Sequence, residues 1–453
     1  MRDLSRIFKA YDVRGVVPSE LDADVARATG AAFVRLLGAE CVVTAHDMRE
    51  SSVPLAAAFA EGATSQGADV IAAGLASTDL LYFAAGSLNM PGAMFTASHN
   101  PAKYNGMKLC RAGAAPIGQQ TGLAEIREMI EKGIPEWTGR TGTVIQRDLR
   151  DDYVRHLRKL VDLSGIRPLK VAVDAGNGMA GLTVPAVFDG LPLTIVPLYF
   201  ELDGSFPNHE ANPIDPENLR DLQAAVRESG ADIGLAFDGD ADRCFVVDER
   251  GEIVSPSVIT ALVADRELAR EPGATIIHNV IVSRAVPELV AERGGVPVRT
   301  RVGHSFIKAE MARTGAVFGG EHSGHFYFRD FWRADSGMLA ALHVLAALGS
   351  QSRPLSELLG GYARYVASGE INSEVADAAA AMSEVEKAYA SQAVEIDHMD
   401  GLTVSLPDGS WFNVRPSNTE PLLRLNVEGR DDATMCRLRD DVLATIRRGR
   451  ETS

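Results

Sequence analysis

The sequence predicts an α/β fold class with three related mixed or parallel-sheet α/β domains and a smaller C-terminal α+β domain. Three observations lead to this prediction. The chain has 453 residues, which is too long for one hydrophobic core. A plan of strand, polar loop, helix and strand occurs three times along it. The last 90 or so residues then follow a different pattern.

The repeated plan starts with a short apolar strand, at residues 41–45, 170–174 and 275–278. A polar loop and an amphipathic helix follow, with predicted helices at about 53–66 and ending near 188 and 292. The second strands are predicted at 68–71, 193–196 and 296–299. Continuous apolar strands that alternate with helices are typical of a mostly parallel sheet buried on both faces. Such sheets bind ligands at the carboxyl ends of their strands, where the polar loops fall.

The C-terminal region begins with a predicted helix at about 374–391, which is rich in alanine and glutamate. Two alternating strands, 401–406 and 410–414, are joined by Pro407-Asp408-Gly409, and an Asp-Gly pair in this position is a hairpin signal. A third strand at 422–427 and a helix at 432–446 complete a small α+β domain. The predicted domains are therefore 1–145, 146–250, 251–365 and 366–453.

The composition excludes several kinds of partner. Acidic residues outnumber basic ones by 61 to 45, and this net charge of −16 argues against nucleic acid or an anionic membrane surface. A local basic pocket for an anionic small molecule is still compatible with it. Four scattered cysteines indicate free thiols in a reducing compartment. No apolar signal core is found near the N-terminus, and the longest apolar stretch, 338–348, is too short to span a bilayer. We expect a cytoplasmic protein.

The segment Thr96-Ala97-Ser98-His99-Asn100-Pro101 is the first candidate for chemistry. It follows the apolar run 92–95, which reads as a buried strand, and its proline ends that strand. A serine beside a histidine at the end of a strand is suited to nucleophilic or proton-transfer chemistry. The alternative is an ordinary turn of serine and asparagine.

The strongest single signal is Asp238-Gly239-Asp240-Ala241-Asp242-Arg243, which lies between two apolar strands. Three carboxylates at alternate positions need a compensating cation, and hard oxygen ligands on a short loop suit Mg²⁺. A Ca²⁺ loop of the EF-hand kind is rejected, because Arg243 stands where glycine is needed and the flanking elements are strands. A solvated acidic turn is the remaining alternative.

A third motif, Arg415-Pro416-Ser417-Asn418-Thr419-Glu420, is a candidate phosphate cradle. Arginine offers a bidentate fork to phosphate, and the three residues after the proline add hydroxyl, amide and backbone donors. A plain loop of small polar residues is the alternative.

Two glycine- and histidine-containing loops are candidates for sugar binding or proton transfer. In Gly319–His325 the relevant side chains are Glu321, Ser323 and His325, and glycines there let the backbone approach a ligand. Upstream, His304 follows Gly303, and a buried structural histidine is the alternative there.

Together these motifs resemble those of the α-D-phosphohexomutases. The resemblance covers essentially the whole chain, and the four motifs occur in the family's order: the serine loop 96–101, the metal loop 238–243, the sugar loop 320–325 and the phosphate loop 415–419. The family has three related α/β domains and a smaller fourth domain around a central cleft, which agrees with the repeat. We therefore expect that architecture here.

The resemblance also implies a reaction and a set of roles. Ser98 would carry a phosphoryl group in the resting enzyme, and a hexose 1,6-bisphosphate would be the intermediate and activator for a hexose phosphate substrate. The implied catalytic residues are Ser98, His99, Lys108, Arg14, Arg243, His304 and His325. The implied substrate-binding residues are Tyr11, Gly303, Glu321, Ser323, Arg284, Arg415, Ser417, Asn418 and Thr419. The implied ligands of Mg²⁺ are Ser98, Asp238, Asp240 and Asp242. Which residue is the general acid or base stays open, as does the choice between a monomer and a homodimer.

The sugar loop is most similar to that of the phosphomannomutase/phosphoglucomutase branch, since phosphoglucosamine mutases more often have glutamine where His322 stands. We therefore expect interconversion of mannose 6-phosphate and mannose 1-phosphate, with the glucose pair as a second substrate candidate. Some bifunctional relatives have a lysine in the loop after Val280, where this chain has Ile281 and Val282. Arg284 is a candidate replacement, and the hexose preference stays open. The alternatives are a phosphoglucosamine mutase and a non-catalytic sugar-phosphate sensor, although a sensor has no need of a phosphorylatable serine beside a metal.

Overall fold

The computed structural model describes residues 3–416 and 422–447. The chain divides into two compact units. Unit 1 comprises Met1–Pro256, Met311–Phe318 and Ser323–Leu358, and unit 2 comprises Ser257–Glu310, Gly319–His322 and Leu359–Ser453. This division is coarser than the four predicted domains, whose boundaries stay predictions.

The first sheet lies in unit 1 and has the strand order β1-β5-β4-β2-β3-β7, with β6 paired to β5. Its strands are β1 (Val13–Val16), β2 (Cys41–His46), β3 (Asp69–Leu75), β4 (Gly92–Phe95), β5 (Tyr104–Arg111), β6 (Ala115–Pro116) and β7 (Val144–Gln146). The helices of this region are α1 (Ala23–Leu37), α2 (Ser52–Ser65), α3 (Thr78–Ser87), α4 (Leu123–Lys132) and α5 (Arg150–Leu160). Strand β2 is parallel to β3 and β4, whereas β5 is antiparallel to β1 and β4, so the sheet is mixed.

Two glycines let α1 and α2 approach closely. A Cβ on Gly30 would lie 2.1 Å from the carbonyl oxygen of Phe59, and one on Gly62 would lie 1.9 Å from that of Arg27. The aromatic core beneath this contact joins the ring of Phe59 to that of Phe95, with centroids 5.5 Å apart. Because Phe95 is the last residue of β4, this core anchors the point where the serine loop begins.

The second sheet also lies in unit 1, with the order β12-β11-β10-β8-β9. Its strands are β8 (Leu169–Asp174), β9 (Leu193–Leu198), β10 (Ile233–Phe237), β11 (Cys244–Asp248) and β12 (Ile253–Val254), and its helices are α6 (Ala180–Phe188) and α7 (Arg220–Ser229). Strands β8, β9 and β10 are parallel, and β11 runs back antiparallel to β10. The metal loop therefore lies in the turn between β10 and β11, as the sequence predicts.

The next region is shared between the two units. Its elements are α8 (Pro256–Arg270), β13 (Thr275–Asn279), α9 (Ala285–Glu292), β14 (Val296–Thr300), α10 (His304–Thr314), β15 (Phe318–Gly320), β16 (Phe326–Phe328), β17 (Ala334–Asp335), α11 (Gly337–Gly349) and α12 (Leu355–Leu359). In unit 2, β13 and β14 are parallel; in unit 1, β16 and β17 are antiparallel. The apolar stretch around 338–348 forms α11, which is buried along its whole length.

The C-terminal part of unit 2 is an antiparallel sheet with the order β18-β22-β21-β20-β19 and two helices. The elements are β18 (Val366–Glu374), α13 (Ala378–Tyr389), β19 (Glu395–Asp397), β20 (Leu402–Ser405), β21 (Trp411–Pro416), β22 (Leu422–Gly429) and α14 (Asp432–Arg447). The hairpin of β20 and β21 confirms the Asp-Gly prediction. The predicted helix start at residue 374 was wrong, because β18 pairs with β22 through Glu374 and the Asp377 side chain caps α13.

Short 3-10 turns occur at Leu4–Arg6, Ala112–Ala114, Gln119–Thr121, Pro216–Leu219 and Arg329–Phe331. Among residues 3–416 and 422–447, no helix is both long and apolar enough to cross a membrane. The repeated strands β2, β8 and β13 and their partners β3, β9 and β14 all form at the predicted places.

Candidate active site

The serine loop connects β4 to β5 and holds Ser98 in an unusual conformation. Ser98 has φ of 50°, which is left-handed and uncommon for a residue with a Cβ. Its backbone N–H donates to Thr96 Oγ1 at 2.9 Å, and its hydroxyl donates to Asp238 Oδ2 at 2.8 Å. The residue is 2% exposed. Ser98 is thus a buried serine whose hydroxyl is aimed at the metal loop.

The metal loop places its three carboxylates together. Asp238, Asp240 and Asp242 are all buried, and one oxygen of each lies within 4.8 Å of the others. Ala241, with φ of 59°, makes the turn between the last two. Burial, followed by the charges of Asp242 and Asp240, raises the pKa of Asp238. The loop therefore concentrates negative charge where water cannot disperse it.

Two basic side chains partly balance this charge. Lys108 Nζ donates to Asp240 Oδ2 at 2.7 Å and to Asp242 Oδ2 at 2.5 Å. Arg243 Nε lies 3.3 Å from Asp238 Oδ2. Burial acts to lower the pKa of Lys108, but Asp240 and Asp242 outweigh it and hold that pKa well above its ordinary value. Lys108 is accordingly a permanent cation in this arrangement.

The carboxylate oxygens of the metal loop that accept no hydrogen bond fit a divalent cation. The pKa of Asp238 is raised because its charge is buried beside those of Asp242 and Asp240, so a further cation at the loop would stabilise the ionised form of this carboxylate. The second oxygens of Asp240 and Asp242, both named Oδ1, are buried and accept no hydrogen bond. Buried carboxylate oxygens without a donor are costly unless a cation compensates them. This donor set of hard oxygens suits Mg²⁺ better than a soft metal.

His99 is a neutral imidazole beside the serine. Arg243 Nη2 lies 2.5 Å from His99 Nδ1. Because a guanidinium only donates, Nδ1 is the acceptor and the ring proton is on Nε2. Arg243 and then burial lower the pKa of His99 well below its ordinary value. The same Nδ1 lies 3.3 Å from Ser98 Oγ, so the structure joins these two predicted residues.

His325 is brought to the same cluster from the sugar loop. Its Nδ1 lies 3.0 Å from Ser323 Oγ, and its Nε2 lies 3.6 Å from Asp242 Oδ1. Burial and Arg243 act to lower the pKa of His325, but Asp242 and Asp335 raise it above the ordinary value. His325 therefore favours the protonated form, in contrast to His99.

Arg14 contacts the serine loop through sheet pairing. Strand β1 pairs antiparallel with β5, which places Arg14 opposite Gly106. Its Nη1 donates to Asn100 Oδ1 at 2.7 Å, and its Nη2 donates to Asp12. Tyr11 lies two residues before β1 and is half-buried. All of these residues belong to unit 1.

Unit 2 holds the other candidates, and Glu321 organises one group of them. Its Oε1 accepts from the Gly303 backbone N–H at 3.0 Å and from Asn279 Nδ2 at 3.2 Å. Gly303 has φ of 131°, a backbone conformation that side chains rarely adopt. His304 is the first residue of α10, directly after this glycine. The glutamate is 2% exposed, so it reaches the loop from a buried position.

The two arginines of unit 2 have partners. Arg284 Nη1 donates to the Gly409 carbonyl at 2.9 Å. Arg415 Nη2 donates to Glu370 Oε2 at 2.6 Å, and the other oxygen of Glu370 lies 3.2 Å from Arg424 Nη1. Two guanidinium groups therefore share one carboxylate. The predicted Ser417, Asn418 and Thr419 lie outside the described residues.

The sequence reasoning missed Thr78 and did not interpret Arg49. Thr78 Oγ1 donates to Asp240 Oδ2 at 2.5 Å, and its backbone N–H donates to the Asp240 carbonyl at 3.0 Å. Arg49 is buried beneath the serine loop. Both follow the carboxyl ends of parallel strands, β2 and β3, so the rule that such ends bind ligands could have drawn attention to them.

The chain matches one family along almost its whole length. Residues 5–136, 151–251 and 255–365 match the alpha/beta/alpha domains I, II and III of phosphoglucomutase/phosphomannomutase, and residues 370–445 match its C-terminal domain. The chain belongs to this phosphohexomutase family. The predicted fold class and the predicted enzyme class, an intramolecular phosphotransferase, are confirmed.

Several relatives within the family are similar over their full length. A protein of Xanthomonas campestris named phosphohexose mutases is 42% identical over 445 residues, covering 98% of this chain and 99% of the relative. The phosphomannomutase of Salmonella typhimurium is 41% identical over 449 residues, covering 97% and 98%. The crystal structure of a phosphoglucomutase/phosphomannomutase family protein from Burkholderia thailandensis superposes with a TM-score of 0.91 at 37% identity, covering 100% of this chain and 99% of that one.

Proposed function

We propose that this chain is a Mg²⁺-dependent phosphomannomutase that interconverts mannose 6-phosphate and mannose 1-phosphate, with the glucose phosphates as a second substrate pair. The single observation that carries the proposal is the Ser98 hydroxyl, held 2.8 Å from Asp238 beside a buried carboxylate cluster. Relatives that are named phosphomannomutases support the choice of mannose. The four free cysteines agree with a cytoplasmic enzyme.

Ser98 is the nucleophile and the phosphoryl carrier in this proposal. In the forward step the bond between Ser98 Oγ and phosphorus breaks, and a bond between phosphorus and the free hydroxyl of the hexose monophosphate forms. The hydroxyl proton leaves to a base, and a hexose 1,6-bisphosphate results. The bisphosphate then turns end for end, and its other phosphoryl group returns to Ser98. The enzyme is thereby regenerated while the position of the phosphate on the sugar has changed.

Asp238, Asp240, Asp242 and Ser98 Oγ would hold the magnesium ion. When bound, Mg²⁺ supplies positive charge to the phosphoryl oxygens as their charge is redistributed. Lys108 and Arg243 contribute two further positive charges that the chain itself keeps in place. Phosphoryl transfer depends mainly on positioning and charge stabilisation, and these buried groups provide both.

The protonation states divide the proton-handling roles. His99 is neutral and lies near Ser98 Oγ, but Arg243 donates to its acceptor nitrogen, so His99 could take a proton from the attacking hydroxyl only after that contact opens. Lys108 is a cation and the pKa of His325 is raised, so these two side chains are suited to stabilising negative charge or donating to the leaving oxygen. Arg14 orients Asn100 at the end of the serine loop, and His304 is kept as a further proton-handling candidate.

Substrate binding is assigned to residues with complementary chemistry. Glu321, which accepts from the Gly303 backbone N–H, would bond a sugar hydroxyl from unit 2. Ser323 is proposed to bond a sugar hydroxyl as well. Arg415, with Ser417, Asn418 and Thr419, would bind the phosphate that is not reacting, and a grip on phosphate alone tolerates both orientations of the sugar. Tyr11 and Arg284 complete the proposed set.

The decisive experiment replaces the nucleophile. Ser98→Ala should lower mutase kcat/KM by at least about 1,000-fold, since the proposal assigns the phosphoryl group to the Ser98 oxygen and alanine has no nucleophile. Ser87→Ala is the matched control, because this exposed serine bonds only the carbonyl of Ala84 at the end of α3. Normal turnover of Ser98→Ala would refute the nucleophile assignment.

The substrate is tested with mannose, glucose and glucosamine phosphates, each with its bisphosphate as activator. The highest kcat/KM with mannose phosphates is expected. A preference for glucosamine phosphates would instead indicate a phosphoglucosamine mutase. Binding without turnover, together with no phosphate on Ser98 by mass spectrometry, would indicate a sugar-phosphate sensor.

A further inference from the structure

Arg49 is a buried loop arginine with an unusual set of hydrogen bonds. It follows β2, is 2% exposed, and uses all five N–H groups of its guanidinium. Its Nε donates to Asp47 Oδ2 at 3.2 Å. The other four N–H groups donate to main-chain carbonyls at 2.6 to 3.1 Å, those of Ser98, Asn100, Pro101 and Tyr104.

All four carbonyls belong to the segment that runs from Ser98 to Tyr104, the first residue of β5. A buried guanidinium is costly unless it is paired and fully hydrogen-bonded, and Asp47 alone would satisfy only one of its donors. The rest of its hydrogen-bonding capacity is therefore directed at the backbone that carries Ser98. A residue that served only to neutralise Asp47 would not need this arrangement.

The serine loop needs an external support of this kind. Ser98 adopts a left-handed φ of 50°, and such conformations persist only where the surroundings hold them. Within the loop, Asn100 donates its N–H to the Ala97 carbonyl at 3.0 Å. Arg49 bonds the backbone and not the hydroxyl, so its hold does not change when Ser98 gains or loses a phosphoryl group.

A loop that follows β9 covers the guanidinium. The ring of Phe206 lies 5.0 Å from the Arg49 guanidinium carbon, a cation–π distance. Gly204 allows the close approach, because a Cβ there would lie 2.7 Å from the Arg49 Cα. The cover excludes water, which would otherwise compete for the four carbonyls.

We propose that Arg49 is a positioning residue for phosphoryl transfer, which holds the Ser98 loop so that the serine oxygen stays aimed at the metal loop throughout the catalytic cycle. The inference rests on the proposed function. Lysine cannot replace it, since an ammonium has three donors and lacks the planar fork that reaches four carbonyls.

The test compares Arg49→Lys with Arg158→Lys. Arg158 is a matched control in unit 1, because its guanidinium also donates to backbone carbonyls, those of Val187 and Asp189 at the end of α6. We expect Arg49→Lys to lower kcat about 10- to 100-fold with little change in KM for the hexose phosphate, since small displacements of a reacting group have effects of this size. Mass spectrometry should also show slower phosphorylation of Ser98 by the bisphosphate. Arg158→Lys should leave kcat unchanged.

A wild-type kcat in folded Arg49→Lys would overturn the inference, as would an equal loss of kcat in Arg158→Lys. If Arg49→Lys does not fold, Phe206→Leu decides, because it keeps every hydrogen bond of Arg49 and removes only the covering ring. We expect it to lower kcat about 3- to 10-fold, and an unchanged kcat would overturn the inference. Failure of the proposed function gives a different result, in which the wild-type protein has no mutase turnover and no phosphate on Ser98; that result overturns both.

Discussion

The hydroxyl of Thr78 should set the affinity of the magnesium site. It donates to Asp240 Oδ2 at 2.5 Å, while Lys108 donates to the same oxygen at 2.7 Å. These two bonds turn the carboxylate so that Asp240 Oδ1, which accepts no hydrogen bond, is left for the cation. Thr78→Val removes the hydroxyl while keeping the shape of the side chain, so it perturbs the orientation of Asp240 more than the packing of α3.

The expected loss of Mg²⁺-binding free energy follows from the hydrogen bond between Thr78 and Asp240 that Thr78→Val removes. A hydrogen bond to a charged group contributes about 1.5–3 kcal/mol, and Lys108 still holds the same oxygen, so we expect a loss in the lower part of this range, about 1.5–2.5 kcal/mol. This range corresponds to about 10- to 100-fold in the dissociation constant for Mg²⁺, which is the effect usually seen when a group that orients a metal ligand is removed. The two estimates agree.

The assay is titration of the metal-free protein with Mg²⁺ by calorimetry, with kcat at saturating Mg²⁺ as a second readout. We expect a weaker Kd for Thr78→Val and recovery of most of kcat at high Mg²⁺. Thr78→Ser restores the hydroxyl and should restore the affinity. Thr29→Val is the matched control, because this buried hydroxyl bonds the Val25 carbonyl inside α1.

The reasoning would be refuted by a Kd for Thr78→Val within about twofold of the wild type, which is below the range expected for losing an orienting partner. It would also fail if Thr29→Val weakened Mg²⁺ binding to the same extent, since the effect would then reflect general loosening of unit 1 and not the orientation of Asp240.

Two further predictions concern stability. Gly30→Ala gains about 1 kcal/mol of helix propensity, but the new Cβ would lie 2.1 Å from the Phe59 carbonyl and force α1 from α2. Because the clash is with backbone, we expect an overpacking cost at the upper end of the usual range, about 3 kcal/mol. Denaturant unfolding should therefore show a net loss of about 2 kcal/mol, and a stabilised variant would contradict this. Burial lowers the pKa of His278 to about 4, so the unfolded chain binds more protons between about pH 4 and 6.5 and stability falls on acidification. From pH 7 to 5 the wild type should lose about 2 kcal/mol more than His278→Gln, and parallel pH profiles of the two proteins would count against the prediction.

The local hydrophobic pattern of the sequence predicted most of the strands and loops that contain the site residues. Uninterrupted apolar runs predicted β2, β8, β10 and β13, because a strand buried on both faces must be apolar at every position. Polar residues directly after such runs predicted the serine loop and the metal loop. Strand β18 was missed, since its half-buried residues alternate weakly and the alanine-rich helix after it has the stronger signal.

Only the tertiary structure decided which side chains meet. Lys108 reaches Asp240 and Asp242 because β5 runs antiparallel to β4, and sequence spacing contains no record of strand order. The same holds for Thr78, at the start of α3, and for Arg49, in the loop after β2, because only the fold places one beside Asp240 and the other beside four carbonyls. The sequence by itself thus determined which residue types stand at the ends of which strands, because that depends on local hydrophobicity. The tertiary structure decided their partners, charges and protonation, because these depend on distances between residues far apart in the chain.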